Sequence, residues 1–319
     1  MQFLRLCAAS AFLLSMCESF DTAPPIGQVK DVDPEAEALM IEAKNYKQQG
    51  KESKSRSSLK EIVQFHSFAA NAPEARYLLG QSYEATGDYR DAFKEYGKLI
   101  DRYPQSELYV DALNRQLAMA TDAASGRMQV PVFWGAWETG MESSVVVSWL
   151  REIVNKAPYN DMAATASSIL AKYLLEQDRP DEARMEYARL VERYPDSSYA
   201  PEAQLMVAKL WAQSHTRGDN NLVNLSNARE AYEEFNLRFP KHSEARKALS
   251  EAANIERLMV NQQLEVGRYY LERSHEYTSA IFCFQDVMRQ KAINPEAAAE
   301  AEKLLKRAQN AEAAAKQKN

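Results

Sequence analysis

The hydrophobic residues of this chain follow the spacing of α-helices in segment after segment. Apolar side chains recur three or four residues apart, and polar residues occupy the positions between them. No stretch alternates apolar and polar residues over a length that would predict a β-strand. The pattern predicts an all-α protein made of six helix pairs and a last helix. The predicted pairs are 34–49 with 51–66, 73–86 with 88–103, 107–124 with 143–156, 161–177 with 180–194, 200–214 with 225–239 and 243–273 with 277–290, and the last helix is 295–315.

Proline followed by glutamate opens several of these helices. A proline in the first turn loses no helical hydrogen bond, and a carboxylate there lies near the positive end of the helix dipole. The four segments that share this signal are Asp33-Pro34-Glu35, Ala72-Pro73-Glu74, Ala200-Pro201-Glu202 and Asn294-Pro295-Glu296.

One alanine recurs along the chain at nearly regular intervals. The positions are Ala38, Ala75, Ala112, Ala166, Ala203 and Ala248, with 37 residues between the first three. The two longer gaps contain inserted segments, 125–142 and 214–224. A period of this length predicts stacked helix pairs, so we expect residues 33–316 to form one solenoid with a superhelical path rather than a single globular core.

Two copies of the repeat can be laid together, residues 80–104 and 171–195. They share a small residue, an alanine, a tyrosine and a final Arg-Tyr-Pro; the matched residues are Gly80 with Ala171, Ala92 with Ala183, Tyr96 with Tyr187, and Pro104 with Pro195. The small residue lets two helices approach, the tyrosine fills space between pairs, and the proline stops the second helix. This spacing resembles the tetratricopeptide repeat, a family of helical scaffolds. A more degenerate first copy is expected for a terminal repeat.

Charge and composition narrow the range of functions. The chain has 319 residues, a net charge of −6 and 26% charged residues, and no run of basic residues that would predict a nucleic-acid-binding face. Only ten glycines are present, and none forms a phosphate-binding loop. We expect no nucleic-acid partner and no cofactor.

The N-terminal residues 1–17 resemble a bacterial lipoprotein signal peptide. Arg5 precedes an apolar run that is too short to span a bilayer, and Leu14-Ser15-Met16-Cys17 resembles a lipobox. The resemblance implies lipid attachment at Cys17, with residues 18–32 as a flexible tether and contact with the membrane only through that anchor. An ordinary secretory signal or a membrane-associated leader is the alternative.

Candidates for catalysis and metal binding are few. The four histidines have no second histidine or cysteine at metal-ligand spacing. Cys283 lies on an apolar helix face and is interpreted as a core residue. No nucleophile motif is present, so we expect a protein that is not an enzyme.

Partner-binding residues are expected in two places outside the C-terminal repeats. Trp134 and Trp137 lie in the first insertion, where their rings either pack on the solenoid or contact a partner. Tyr77, Gln81 and Glu84 lie on the first helix of the second pair, at positions expected on the concave face. Tyr77 either contacts a bound peptide or packs against the next helix.

The order of parts in residues 160–310 resembles BamD, the outer-membrane assembly lipoproteins of Gram-negative bacteria. The resemblance rests on 227–240, on the long helix after it, and on Glu265-Val266-Gly267-Arg268-Tyr269-Tyr270 with Tyr277 and Ala280. It implies a lipid-anchored scaffold at the periplasmic face of the outer membrane. Such a scaffold docks onto a BamA-type barrel-inserting protein and other assembly-machine subunits, and it binds unfolded barrel clients.

Within that resemblance, Arg268, Tyr270 and Phe284 are candidate partner-binding residues. Phe284 stands where the family often has arginine, so an apolar contact would replace an ionic one unless the ring is buried. The alternative function is a tetratricopeptide scaffold lipoprotein of another envelope complex, in cell division, polysaccharide export or secretion.

Overall fold

The computed structural model describes residues 32–132, 137–158, 160–214 and 222–318. The helices of these residues are α1 (Pro34–Gln48), α2 (Glu52–Phe65), α3 (Ala72–Ala85), α4 (Tyr89–Arg102), α5 (Tyr109–Ala124), α6 (Ser143–Lys156), α7 (Asp161–Glu176), α8 (Pro180–Arg193), α9 (Ala200–Ser214), α10 (Leu222–Arg238), α11 (Ala245–Tyr269), α12 (Tyr277–Arg289) and α13 (Pro295–Lys318). The predicted all-α class is confirmed: six helix pairs and a last helix, all within a few residues of the predicted bounds.

Proline marks helix starts as the sequence predicts. Pro34 opens α1, and the preceding residue, Asp33, caps the helix by accepting a hydrogen bond from the Ala36 N–H at 3.2 Å. This bond, together with His66 Nδ1 at 3.1 Å from the same carboxylate, holds the pKa of Asp33 below its usual value. Pro180 also stands in the first turn of α8, where the preceding Arg179 gives no side-chain cap.

The described helices form two compact units, the first ending at Ala166 and the second beginning at Ser167. In the first unit, α3 and α4 approach closely where Gly80 faces Tyr96, whose ring is fully buried. Further along, the rings of Phe93 on α4 and Trp149 on α6 stack with their centroids 4.3 Å apart. The small–aromatic pairing inferred from the repeat therefore sets the packing of this pair.

The second unit repeats this pairing near its C-terminal end. Gly267 on α11 faces Phe284 on α12, and a β-carbon on Gly267 would lie 2.7 Å from the phenylalanine Cε1. Phe284 belongs to a buried apolar cluster in which α13 contributes Ala301 and Leu304. The last helix thus covers the apolar face of α12.

The long helix predicted at 243–273 is not α-helical throughout. After α11 the chain continues as a π-helical turn, Tyr270–Ser274, and His275 follows in the left-handed conformation with φ 58°. A π-turn carries one extra residue per turn, which changes the direction of the side chains that follow it.

The first insertion contains a β-hairpin, so the expectation of no strand was wrong. Strands β1 (Gln129–Val132) and β2 (Trp137–Gly140) pair antiparallel, with Gln129 opposite Gly140 and Val132 opposite Trp137. Each strand has only four residues, too few for an apolar–polar alternation to stand out in a sequence. Cross-strand pairing, which the sequence does not display, stabilises the hairpin instead.

Several expectations fall on residues outside the described part. These are the leader 1–17, the tether 18–32 except for its last residue, and residues 215–221 of the second insertion. No described helix combines the length and the apolar character needed to cross a lipid bilayer.

Candidate partner-binding surfaces

The first candidate surface lies on α3, where Glu84 is held by two neighbours. The Tyr96 hydroxyl donates a hydrogen bond to Glu84 Oε2 at 3.0 Å, and the Arg115 guanidinium on α5 pairs with the same carboxylate. Burial, reinforced by the charge of Glu84, raises the pKa of Tyr96. Glu84 therefore joins α3 to α4 and α5, and a bound peptide would have to compete with these contacts.

Tyr77 and Gln81 lie on the same helix as Glu84 and are both half-buried. The Tyr77 ring packs against Tyr96, with centroids 5.6 Å apart and planes tilted by 55°. Of the two alternatives for Tyr77, packing within the repeat is the one that the structure displays, and its exposed part remains available to a partner. The Gln81 side chain makes no hydrogen bond with another described side chain.

Ion pairs connect the first helices of successive pairs. Lys44 on α1 lies 2.7 Å from Glu74 on α3, and Lys172 on α7 lies 3.6 Å from Glu202 on α9. Such exposed pairs each contribute at most about 1 kcal/mol. The ion pairs stabilise the spacing between these first helices only weakly, and their charged groups keep the helix faces polar.

Of the three C-terminal candidates, Arg268 and Tyr270 are partly exposed, whereas Phe284 lies in the core. Arg268 is half-buried and pairs with Glu265 at 3.4 Å and with Glu300 on α13. Tyr270 packs against the apolar cluster between the last helices. Phe284 is 0% exposed, so the expected apolar contact with a partner is corrected: the ring fills the space beside Gly267 instead.

A group of exposed apolar side chains near these residues was missed. Leu258, Val266 and Tyr269 recur on α11 at helical spacing, and Phe282 lies on the adjoining α12. Tyr269 and Phe282 are 59% and 64% exposed. Large apolar side chains that are exposed in one chain are common at protein interfaces. In the sequence these residues appear only as part of the 3.6-residue apolar period, which does not distinguish a buried helix face from an exposed one.

The remaining candidates lie outside the residues or side chains that the structure describes. Trp134 lies outside the described residues, as does Cys17. Trp137 begins β2, but its side chain is not among those described. Packing and partner contact thus both stay open for the tryptophan rings.

The described residues contain few groups suited to metal binding or catalysis. They contain no group of three or more histidine, cysteine, aspartate or glutamate side chains that could hold a metal ion. Burial, followed by the charge of Asp286, raises the pKa of the Cys283 thiol. A thiol with a raised pKa is a poor nucleophile at neutral pH.

Comparison with known proteins agrees with this geometry. Residues 74–106 and 166–197 match the model of the tetratricopeptide repeat family. Two stretches of the chain are thus tetratricopeptide repeats by sequence. They cover α3 with α4 and most of α7 with α8, the two copies aligned above. No curated protein matches the chain.

Several solved structures resemble this chain at low sequence identity. MamA from Desulfovibrio magneticus is 15% identical, with 66% of this chain and 98% of that chain covered and a TM-score of 0.30. A tetratricopeptide repeat protein from Parabacteroides merdae is 11% identical, with 87% and 100% covered and a TM-score of 0.31. The pilF protein of Pseudomonas aeruginosa is 13% identical, with 84% and 96% covered and a TM-score of 0.29.

The two matched stretches are repeats of tetratricopeptide type within a chain of helix pairs. Domains of this type mediate protein–protein interactions and are typically not catalytic. The candidate surfaces described above are therefore interpreted as sites for other proteins.

Proposed function

We propose that this chain is a non-catalytic scaffold of the machinery that assembles outer-membrane β-barrels. It would be held at the periplasmic face of the cell outer membrane by lipid on Cys17, and it would dock onto a BamA-type protein through residues 225–290. Unfolded barrel segments would meet the earlier repeats, near Tyr77 and the tryptophan insertion. The proposal rests on the resemblance of 160–310 to BamD and on the tetratricopeptide fold.

The observation that supports this docking region most directly is the exposure of its large apolar side chains. Leu258, Val266 and Tyr269 on α11 and Phe282 on α12 are 40% to 64% exposed. Aromatic side chains that become buried on binding act as interface anchors worth about 2 kcal/mol or more. Arg268, between Val266 and Tyr269, adds a half-buried guanidinium to the same segment.

Pull-down of the tagged chain from envelope membranes tests the partner. We expect the wild type to recover a BamA-like protein, and the double variant Tyr269→Ala with Phe282→Ala to lose it. The matched control is Phe65→Ala, which removes a 71% exposed ring from α2 and should keep the partner. Circular dichroism of all three proteins checks that the helices are intact.

The results discriminate between the two envelope functions. Recovery of division, export or secretion proteins without a BamA-like protein would replace the proposal with a scaffold of that other complex. If Phe65→Ala and the double variant lose the partner equally, the docking region is misplaced. Trp134→Ala with Trp137→Ala should keep the BamA-type complex and weaken the capture of unfolded clients.

The lipid anchor requires a separate test. Cys17→Ala should release a soluble form or block processing, and radiolabelled palmitate should label only the wild type. Because one acyl chain binds a membrane weakly and reversibly, firm retention requires several chains on the cysteine. Equal membrane retention of both proteins without label would remove the anchor from the proposal.

A further inference from the structure

An open cleft of roughly 780 Å³ lies within the second unit, between α8 and α10 and above α9. Its floor is apolar and contains Val207 and Trp211 of α9, with Val191 of α8 and Ala231 of α10 on its sides. A cleft of this size lies within the range of small-ligand sites and can hold several side chains of a short peptide segment. None of its lining residues belongs to α11 or α12, so it is distinct from the surface proposed for a BamA-type partner.

The rim of the cleft is acidic. Glu192, Asp196, Glu230 and Glu234 line it, whereas Arg238 is the single basic residue among the described lining residues. Arg238 is already paired with Glu234 at 3.0 Å. The rim therefore carries an excess of negative charge that no lining residue neutralises.

The equivalent groove of the second helix pair is filled by the chain itself. Arg76, which directly follows the repeating Ala75, is 1% exposed. Its Nη1 lies 2.8 Å from Glu95 Oε2, and its Nη2 donates to the Val63 carbonyl at 3.5 Å. Lys98 pairs with the same Glu95 at 3.1 Å. A guanidinium thus occupies the space between α2 and α4.

The fifth pair has shorter and more acidic residues at these positions. Gln204 follows Ala203 as Arg76 follows Ala75. On the second helices Ala228 corresponds to Ala92, so Ala231 stands in the place of Glu95 and Glu234 in that of Lys98. The Gln204 amide nitrogen donates to the Ala231 carbonyl at 3.3 Å and to Glu234 at 3.1 Å. Gln204 and Ala231 are shorter than Arg76 and Glu95, which fill the groove in the second pair. The net charge of the three positions changes from positive to negative.

Neighbouring contacts confirm that the two grooves correspond. Arg56 on α2 lies over the Tyr83 ring at 4.4 Å, and Arg184 on α8 lies over the Trp211 ring at 3.6 Å. The structural counterpart of Val63 is then Val191, which lines the cleft. The residue four positions after Val191 is Pro195, which has no N–H to donate to the Val191 carbonyl.

We propose that this cleft binds a basic peptide segment of a partner protein and takes up one of its arginine side chains. The guanidinium would take the position that Arg76 has in the second pair, within reach of the Val191 carbonyl and Glu234. An apolar neighbour in the peptide would cover Val207 and the part of Trp211 that Arg184 leaves uncovered. Charge complementarity points to the occupant: Arg238, paired with Glu234, is the one basic residue among the described lining residues, against the four carboxylates of the rim.

Selection from a phage-displayed library of random dodecapeptides tests the proposal, with the immobilised full-length chain as target. We expect enriched peptides to be basic and to combine arginine with an apolar residue. Gln204→Arg should fill the groove from within, as Arg76 does, and Glu230→Gln removes rim charge. By fluorescence anisotropy, each should weaken binding of an enriched peptide about tenfold, the effect of one charge-assisted contact.

The control variant is Glu61→Gln, which changes an exposed carboxylate of α2 that does not line the cleft and should leave binding unchanged. Raising the salt concentration should weaken the peptide complex, since the rim charges are exposed. Failure to enrich basic peptides, or equal affinity of the wild type and both Gln204→Arg and Glu230→Gln, would overturn the proposal. Thermal unfolding of each variant checks that it is folded.

Discussion

The ring of Tyr96 lies in the space that a β-carbon on Gly80 would occupy. Such a carbon would be 2.7 Å from Cε1 and 2.9 Å from Cζ of the tyrosine. The hydroxyl of the same ring is tied to Glu84 at 3.0 Å, so the ring cannot move away without loss of that hydrogen bond. Glycine at position 80 is therefore a packing requirement and not a consequence of backbone conformation.

Gly80→Ala should destabilise the protein by about 1–3 kcal/mol, the usual cost of overpacking. The gain in helix propensity from alanine, about 1 kcal/mol, would offset only part of this. Urea denaturation measures the change. In a Tyr96→Phe background the ring is free of Glu84, so the same substitution should cost less; an equal cost in both backgrounds would show that the hydrogen bond does not hold the ring.

Tyr187→Ala removes a buried ring from the seam between two helices of the second unit. The residue is 2% exposed, and truncation of a buried aromatic side chain costs about 3–5 kcal/mol. Since repeats are coupled mainly to their neighbours, hydrogen exchange should accelerate first in α8 and α9. Uniform loss of protection over all described helices would indicate a single cooperative core instead.

Arg76→Met should be among the most destabilising substitutions in the first unit. It removes the guanidinium from the buried Glu95 carboxylate, which keeps the partly exposed Lys98 ammonium, so the cost should approach but not exceed the value of about 3–5 kcal/mol for a broken buried pair. The double variant Arg76→Met with Glu95→Leu should regain most of that stability. Arg127→Met is the matched control, because the Arg127–Asp122 pair is exposed and should contribute less than about 1 kcal/mol. If the double variant is as unstable as the single one, the two side chains are not energetically coupled.

Alkaline pH should destabilise the protein through its buried tyrosines. Burial, with nearby carboxylate charges, raises the pKa of Tyr187 and of Tyr232 to about 12. Above pH 10 the unfolded chain releases these protons and the folded chain retains them, so stability falls as pH rises from 10 towards 12, by about 1.4 kcal/mol per pH unit for each tyrosine.

Urea denaturation at pH 8, 10 and 11 measures this fall. Tyr232→Phe should make it less steep, whereas Tyr269→Phe, at an exposed ring, should not. If all three proteins lose stability with the same slope, other groups are responsible for the effect.

The helices were predictable because their signals are local. The apolar period and the prolines at helix starts act within a few residues, and the alanines recur at a regular interval. Together they placed α3 with α4 and α7 with α8 correctly. The hairpin was not predictable, since β1 and β2 are short and depend on each other's backbone hydrogen bonds. Periodicity also gave no way to see that Tyr77 packs on Tyr96.

The surfaces were harder to predict than the fold. Phe284 follows Ala280 as Tyr96 follows Ala92, and this equivalence predicts a buried ring more directly than the comparison with an arginine position does. The cleft depends on Gln204 of α9 and on Ala231 and Glu234 of α10, which meet only when α9 and α10 pack together beside α8. Only a structure, or an alignment of the repeats with one another, brings such residues together.

The helix α13 has a consequence for self-association. A stack of helix pairs has, at its last pair, an apolar face of the kind that the next pair would cover, and an uncovered face could accept the first pair of a second molecule. Head-to-tail contacts of this kind form rings when the rotation between copies closes and open filaments when it does not. By supplying Ala297, Ala301, Leu304 and Ala308 to the buried cluster of the last pair, α13 covers that face and leaves it unavailable to another helix pair.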